Sequence, residues 1–361
     1  MENSKEAYMP LIIERDSLAD FLEKHPNIVR VDAYTRQLRE LFFIDNEEWI
    51  GKDKQEAWSS DAFKKYLVLK QGSEVYVYYP WNGHLVTTVG ESDYFKLKTN
   101  RNQDLITSSE QLRLRDFRVA VFGLSVGSNV VIMLTQTGIS NNITIADFDE
   151  LDTTNLNRIL AGIHQIGLNK TTVTARRIHE DNPFAHVTAL SEGVDARRLT
   201  ELLEKKEIDC IVDEVDDMPF KIMTRKLAMK YQIPVVMVTD NGDGVVLHVE
   251  RYDLGVKTIF GKEPTYFDEA VSGTMTKEAA GRMIMQDIVG GVEKVDPAML
   301  RSVQRVLAKK LVSWSQLGSA ALLGGVVATY IIKQIALRKN MEPDIRAYIS
   351  PASGEWLHHT A

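Results

Sequence analysis

The chain has 361 residues, too many for one ordinary core and suited to two domains, and its 44% hydrophobic and 26% charged residues are the balance of a globular protein. A net charge of −7 argues against a non-specific nucleic-acid binder, and a single cysteine, Cys210, excludes an internal disulfide framework. The opening MENSKEAYMP lacks the basic and apolar runs of a secretory signal, so the expected location is the cytoplasm.

In chain order, the apolar spacing of Leu18, Phe21 and Leu22 in SLADFLEKH (17–25) predicts a helix. EVYVYYPWNGHLVTTVG (74–90) reads as two strands joined at Asn82–Gly83, a hairpin signal. Residues 1–100 are therefore expected to form a small α+β domain. It carries no catalytic constellation, and its isolated His25 and His84 read as ordinary turn or surface side chains. RNQDLITSSEQLRLR (101–115) is a bridge in which Thr107, three residues before Glu110, predicts a capped helix.

Residues 101–361 then change character. FRVAVFGLSVGSNVVIMLTQTG (117–138) is strand, glycine turn and helix, and NITIADFDEL the next strand. NKTTVTARRIHEDNP (169–183) is a helix closed by Asn182–Pro183, followed by the strand HVTAL and a helix over 196–206. IDCIVDEVDD (208–217) is a strand with an acidic end, PFKIMTRKLAMKYQ (219–232) a helix, and IPVVMVTDNGDGVVLHVERY two more strands. Strands alternating with helices predict an α/β fold with a mostly parallel sheet and crossover helices. Residues 261–316, including TYFDEAVSG, read as helix and loop, and IRAYISP as a last strand. LGSAALLGGVVATYIIKQIAL (317–337) is apolar for about sixteen residues before Lys333, short of the about twenty that a membrane span needs. With Gly324–Gly325 at its middle it reads as a buried core helix.

VAVFGLSVGSNV places Gly123 and Gly127 where a strand turns into a helix, so that backbone N–H groups can approach a phosphate. Ser125 holds the middle-glycine position, and the turn reads GxxxG. Asp147 follows Gly127 by about twenty residues, the spacing of a ribose-binding acid. A dinucleotide and ATP both remain open at this point. Asn155, Arg158, Lys170, Asp213 and Asp216 then follow at strand ends or in the loops and helix start just beyond, where an open α/β sheet binds ligands. Two cations suit a polyphosphate better than a nicotinamide ring, and an acid beside them suits magnesium.

These stretches resemble the ThiF/MoeB/HesA family, whose fold is shared with ubiquitin-activating enzymes. GLSVG, DFDELDTTNLNR, GLNK, NP, VDEVDD, IPVV and QLGSAALLGGVVATYIIK occur in family order over roughly residues 100–350. The resemblance implies a Rossmann-like, THIF-type nucleotide-binding fold and an adenylyltransferase that joins ATP to a carboxylate and releases pyrophosphate. It implies that Gly123, Ser125, Gly127 and Asp149 border the nucleotide and that Asp147 holds ribose. Asn155, Arg158 and Lys170 would hold the phosphates, and Asp216 magnesium. It further implies a homodimer in which Arg101, in NRNQ, reaches the partner's ATP.

Two departures shape the expectation. Relatives that hold zinc use two CxxC pairs, which one cysteine cannot supply, so no zinc is expected. Cys210 sits inside an apolar strand, so a thioester step is not expected. The expected substrate is a peptide, a protein C-terminus or a small carboxylic acid, recognised by residues 1–100. The alternatives are a tRNA threonylcarbamoyl-adenosine dehydratase-like activity, an NAD- or FAD-dependent oxidoreductase, and a nucleotide-binding module without catalysis. The acidic charge speaks against a nucleic-acid partner, and no membrane partner is expected.

Overall fold

The computed structural model describes residues 7–271 and 276–351. MENSKE therefore lies outside the described residues, and TYFDEAVSG runs past their edge. The chain divides into two units: Met1–Gln111 with His179–Phe184, and Leu112–Ile178 with Ala185–Ala361. The division thus falls after residue 111 rather than after residue 100. Within the bridge, Asn102 Nδ2 donates to Gln111 Oε1 at 2.9 Å.

The first unit contains β1 (Leu11–Ile13), α1 (Leu18–Lys24), β2 (Val29–Asp32), α2 (Tyr34–Asp45), α3 (Lys54–Ser59), α4 (Asp61–Lys70), β3 (Val75–Tyr79), β4 (His84–Thr88) and α5 (Glu91–Thr99). Its sheet runs β1-β3-β4-β2. The hairpin read from Asn82–Gly83 is present: β3 and β4 pair antiparallel with Val77 opposite Val86, and the Gly83 N–H closes the turn on Tyr79 O at 2.9 Å. Aromatic packing supplies much of the core, with Phe42 and Phe63 against Trp49 and Tyr66.

α6 (Ser108–Asp116) opens with the expected reciprocal cap: Thr107 N donates to Glu110 Oε2 at 3.0 Å and Glu110 N to Thr107 Oγ1 at 3.3 Å. The second unit continues through β5 (Arg118–Phe122), α7 (Gly127–Thr137), β6 (Asn142–Ala146), α8 (Lys170–Asp181), β7 (His186–Leu190), α9 (Ala196–Glu204), β8 (Cys210–Asp213), α10 (Met218–Tyr231), β9 (Val235–Asn241) and β10 (Gly244–Glu250). The helices α11 (Asp268–Val271), α12 (Lys277–Met283), α13 (Pro297–Leu307) and α14 (Gly318–Ala336) precede β11 (Asp344–Ile349).

The seven strands run β11-β10-β9-β8-β5-β6-β7. β9, β8, β5, β6 and β7 pair in parallel, and β10 and β11 add antiparallel. The sheet is mixed but mostly parallel; its inner strands β5, β8 and β9 are near-continuous apolar runs, as burial on both faces requires, while the edge strand β7 alternates. Because β5 lies between β6 and β8, strand order reverses beside it. That reversal opens a crevice at the carboxyl ends.

α14 packs on α7, β9 and β10. It is long and apolar enough to cross a membrane, yet Ala321, Gly324, Gly325, Ala328 and Ile332 are buried in this unit. Its glycines allow that approach: a Cβ on Gly325 would stand 2.8 Å from the Asn129 backbone.

Candidate nucleotide site

β5 ends at Phe122 and the chain turns at Gly123 with φ 84°. A Cβ there would stand 2.5 Å from the Glu214 carbonyl oxygen, so the turn closes against the end of β8 only with glycine. α7 begins four residues later, so the turn runs directly into a helix N-terminus. Asp147, just past the end of β6, pins this turn. Its Oδ2 accepts the Leu124 N–H at 2.7 Å and its Oδ1 the Asp149 N–H at 2.8 Å. Two of the carboxylate's four acceptor positions stay open.

Lys170 is brought to Asp147 by the return of a long loop. Glu150 bridges Asn169, the Lys170 N–H donates to Asp149 O at 2.9 Å, and Leu151, Ile159 and Val173 pack beneath. The side chain then opens α8 nearly buried, with Nζ 2.7 Å from Asp149 Oδ2 and 3.9 Å from Asp147 Oδ1. Arg158, on the same loop, reaches the glycine turn: its Nε donates to Ser125 Oγ at 2.7 Å. Its own carbonyl accepts from Asn129 Nδ2 at 3.0 Å, which fixes the backbone behind it. Burial draws the guanidinium pKa down, and the charges of Asp240 and Asp216 oppose that.

At the end of β8, Asp217 caps α10, accepting the Phe220 N–H at 2.9 Å. Asp216 is thereby left out of the cap and lines the crevice. It retains solvent access while protein surrounds it on several sides. That loss of bulk water raises its carboxyl pKa, against the pull of Lys221, Lys170 and Arg158. Burial carries Glu214, whose Oε1 accepts the Val238 N–H at 2.9 Å, well above the carboxylate range and toward its neutral form.

Gly123, Ser125, Asp147, Asp149, Lys170, Glu214 and Asp216 line a single cavity of about 660 Å³. Several expected residues stand elsewhere. Asp213 is a correction: it is fully buried and turned into the core, where Arg225 Nη1 lies 2.5 Å away and Lys221 Nζ 3.4 Å. Arg225 in turn donates from Nε to Glu250 Oε2 at 2.6 Å. Asn155 uses its Oδ1 on the Asp152 N–H at 3.0 Å, capping its own turn, and does not line the cavity. Gly127 likewise lies behind the lining, where a Cβ would stand 2.8 Å from Val121 Cγ1. Arg101 belongs to the first unit and is exposed on the turn Asn100–Asn102.

The cavity also includes residues that the sequence reading passed over: Phe148, Glu192–Asp195, Val215 and Phe220. Glu192–Asp195 follow β7 directly, so the rule that ligands gather beyond strand ends was signal enough to find them. Phe148 sits between two acids already chosen, and its 72% exposure is unusual for so large an apolar side chain.

A family model described as "ThiF family" matches residues 97–349. An uncharacterized protein of Mycobacterium tuberculosis (strain CDC 1551 / Oshkosh) is 29% identical over 287 residues, covering 79% of this chain and 39% of that protein. A tRNA threonylcarbamoyladenosine dehydratase of Haemophilus influenzae is 26% identical over 159 residues, covering 44% of this chain and 60% of the relative. The chain therefore spans less than two thirds of either relative. Among solved structures, E. coli tRNA N6-threonylcarbamoyladenosine dehydratase in complex with AMP superposes with a TM-score of 0.51 at 20% identity, over 70% of this chain and 99% of that one. This last likeness speaks to the fold. With the glycine turn, the acid-rich strand ends and the mostly parallel sheet all in place along the matched residues, the chain belongs to the ThiF family.

Proposed function

We propose that this protein adenylates a carboxylate: RCOO⁻ attacks the α-phosphorus of ATP, the bond to the β-phosphate oxygen breaks, and acyl-AMP and pyrophosphate result. One observation carries the reading. The glycine turn, Asp147, Lys170 and Asp216 share one cavity, and Arg158 is anchored on the turn. Asp147 is suited to ribose hydroxyls through its open acceptor positions, while Lys170 and Arg158 are suited to the phosphates. The attacking carboxylate is already ionised at neutral pH, so no general base is required. The work of the side chains is placement and stabilisation of developing negative charge.

Magnesium is part of this reading. Such an ion is typically held by one or two carboxylates together with phosphate oxygens. Asp216 is the carboxylate suited to it, since it lines the cavity while Asp217 takes the cap of α10. The ion would neutralise charge on the phosphates. Cys210 is fully buried within β8, and burial pushes its thiol pKa up, so we place the end of the reaction at the adenylate or at its direct capture by another nucleophile. The substrate in this reading is a peptide, a protein C-terminus or a small carboxylic acid, with residues 1–100 in its recognition and Arg101 reaching a partner copy's ATP.

A second reading, dehydration of a modified tRNA nucleoside, is favoured by the similarity to the dehydratase of Haemophilus influenzae and opposed by the net charge of −7. ATP–pyrophosphate exchange, measured with a panel of carboxylic acids and peptides and in parallel with tRNA, tests both. Exchange that depends on an added carboxylate supports adenylation of that carboxylate. Exchange that depends only on tRNA supports the second reading, and ATP binding with no exchange favours a binding module.

A further inference from the structure

Within the first unit, which includes His179–Phe184, a cavity of about 310 Å³ opens beside the β3–β4 hairpin. Its lining includes Gln37, Tyr79, His84, Thr88, Tyr94 and Glu180, and it shares no residue with the nucleotide cavity. Tyr79 and His84 stand opposite each other in the pairing of β3 with β4, so both side chains leave the sheet on one face. His84 reads from the sequence as an ordinary turn side chain, yet its hydrogen bonds fix what it presents. The His84 N–H donates to Asn82 Oδ1 at 3.1 Å, which settles the orientation of that amide. His84 Nδ1 then faces two oxygens, Asn82 O and Asn82 Oδ1, both at 3.1 Å. Nδ1 therefore carries the proton, and in the neutral ring Nε2 keeps a lone pair. The other end of the same amide, Nδ2, donates to Glu180 Oε1 at 3.5 Å, and Trp81 Nε1 donates to that oxygen at 2.7 Å. Asn82 thus links an imidazole acceptor to a carboxylate. The tyrosines offer rings rather than hydroxyls, since Tyr79 Oη donates to His179 O at 3.3 Å and Tyr94 Oη to Asp181 O. Gln37 Oε1 is likewise spent, accepting from Thr88 Oγ1 and from the Val89 N–H, each at 3.0 Å.

We propose that this cavity binds a guanidinium group. Its acceptors, His84 Nε2 and the Glu180 carboxylate, call for a ligand rich in N–H donors, and the carboxylate calls for a positive one. A quaternary ammonium carries no N–H for the imidazole. A primary ammonium is a compact, strongly hydrated charge that gains less from flat ring faces. A guanidinium has its donors in a planar fork, reaches two acceptors at once and stacks on aromatic rings. The volume lies at the lower end of small-ligand sites, enough for the side chain of an arginine or for a free guanidine compound. Both sources bring the same chemistry.

Ligand titrations of the full chain, followed by NMR, test this with three probes. They are Nα-acetyl-arginine methylamide, its citrulline counterpart, in which a neutral urea replaces the guanidinium, and its lysine counterpart. The arginine probe is expected to bind at least about tenfold more tightly than the citrulline probe, the scale of a charge-assisted hydrogen bond, and more tightly than the lysine probe. In Glu180→Gln, which keeps an acceptor for Trp81 and Asn82, the ratio of arginine to citrulline affinity falls toward one, with thermal melting checking the fold. His84→Phe removes the Nε2 lone pair and lowers the arginine affinity, and it takes the place of Glu180→Gln where that variant does not fold. Equal binding of the arginine and citrulline probes by the unaltered protein, or binding of neither, overturns the proposal without any variant. A lysine probe that binds as tightly as the arginine probe overturns the choice of a guanidinium. A preference that survives in folded Glu180→Gln overturns this cavity as its seat. Agmatine, titrated alongside, separates the two sources: tighter binding than the arginine probe marks a free guanidine compound and weaker binding an arginine within a chain, and either upholds the proposal.

Discussion

Arg158 donates from Nε to Ser125 Oγ at 2.7 Å, a hydroxyl that stands where the dinucleotide turn keeps its middle glycine. The serine therefore serves the cation, holding a guanidinium over the turn where a phosphate would sit. Arg158→Ala is expected to weaken ATP binding on the order of tenfold to a hundredfold, and Ser125→Ala by less, since it removes only the orienting bond. Calorimetry with ATP and magnesium measures both, with NAD as the control. Tight NAD binding without ATP binding would overturn the assignment of the cavity.

Asp216 and Asp147 should separate chemistry from binding. Asp216→Asn is nearly isosteric, and its carboxylate caps no helix because Asp217 does that, so the fold should survive. Pyrophosphate release should fall on the order of a hundredfold or more, the usual scale for lost electrostatic stabilisation of a leaving group. Asp147→Asn should instead raise the concentration of ATP required. Steady-state kinetics with a carboxylate that supports turnover distinguishes them. Near-full activity of Asp216→Asn with an unchanged magnesium requirement would remove it from the mechanism.

Gly123→Ala is expected to destabilise the second unit. The residue has φ 84°, and the added methyl would stand 2.5 Å from the Glu214 carbonyl oxygen, a rigid backbone atom. Strain of this kind costs on the order of 1–3 kcal/mol, visible as a drop of several degrees in thermal melting. An unchanged melting temperature would mean that the turn adapts more freely than its packing implies.

His248, buried in β10, donates from Nε2 to Ile288 O at 2.7 Å, and burial lowers its pKa to about 3. The folded state thus binds fewer protons than the unfolded state between about pH 3 and 6.5. Its stabilising share is full above pH 6.5 and is lost as pH falls, by roughly 2 kcal/mol at pH 5. Asp240, raised to about 6 by burial, has the opposite sign, favouring the folded state as pH falls toward 4. His248→Gln keeps the donor and should flatten only the first effect. Urea unfolding at pH 7 and pH 5 would show the variant losing less stability than the unaltered protein, and equal losses would exclude His248 as the cause.

The parallel half of the sheet was legible because each strand is a short apolar run followed by a glycine, an acid or a helix cap. Residues with chemistry were found where they fell inside a quoted motif. Asp213 was misplaced because strand alternation cannot tell which of two acids, three residues apart, turns inward. Only the buried Arg225 that meets it decides. Asn155 closes its own turn through Oδ1, a local bond that motif spacing does not reveal and that leaves the Nδ2 donor, the group a phosphate would need, out of the cap. His84 read as an ordinary turn side chain because Asn82, which sets its tautomer, meets Glu180 from 98 residues away in sequence.

Arg225 binds Asp213 on one strand and Glu250 on another while fully buried, and Glu250 Oε1 also receives the Tyr252 hydroxyl at 3.0 Å and the Phe260 N–H at 2.9 Å. This arrangement sets a limit on modularity. A fragment ending after β9 would keep Gly123, Asp147, Arg158, Lys170 and Asp216, yet it would strand the guanidinium without Glu250. Leaving one buried charge uncompensated costs about 3–5 kcal/mol, a large share of the 5–15 kcal/mol by which domains typically hold together. The nucleotide-facing half is therefore not a removable cassette. Grafting it into another protein would require the chain to continue at least through Phe260.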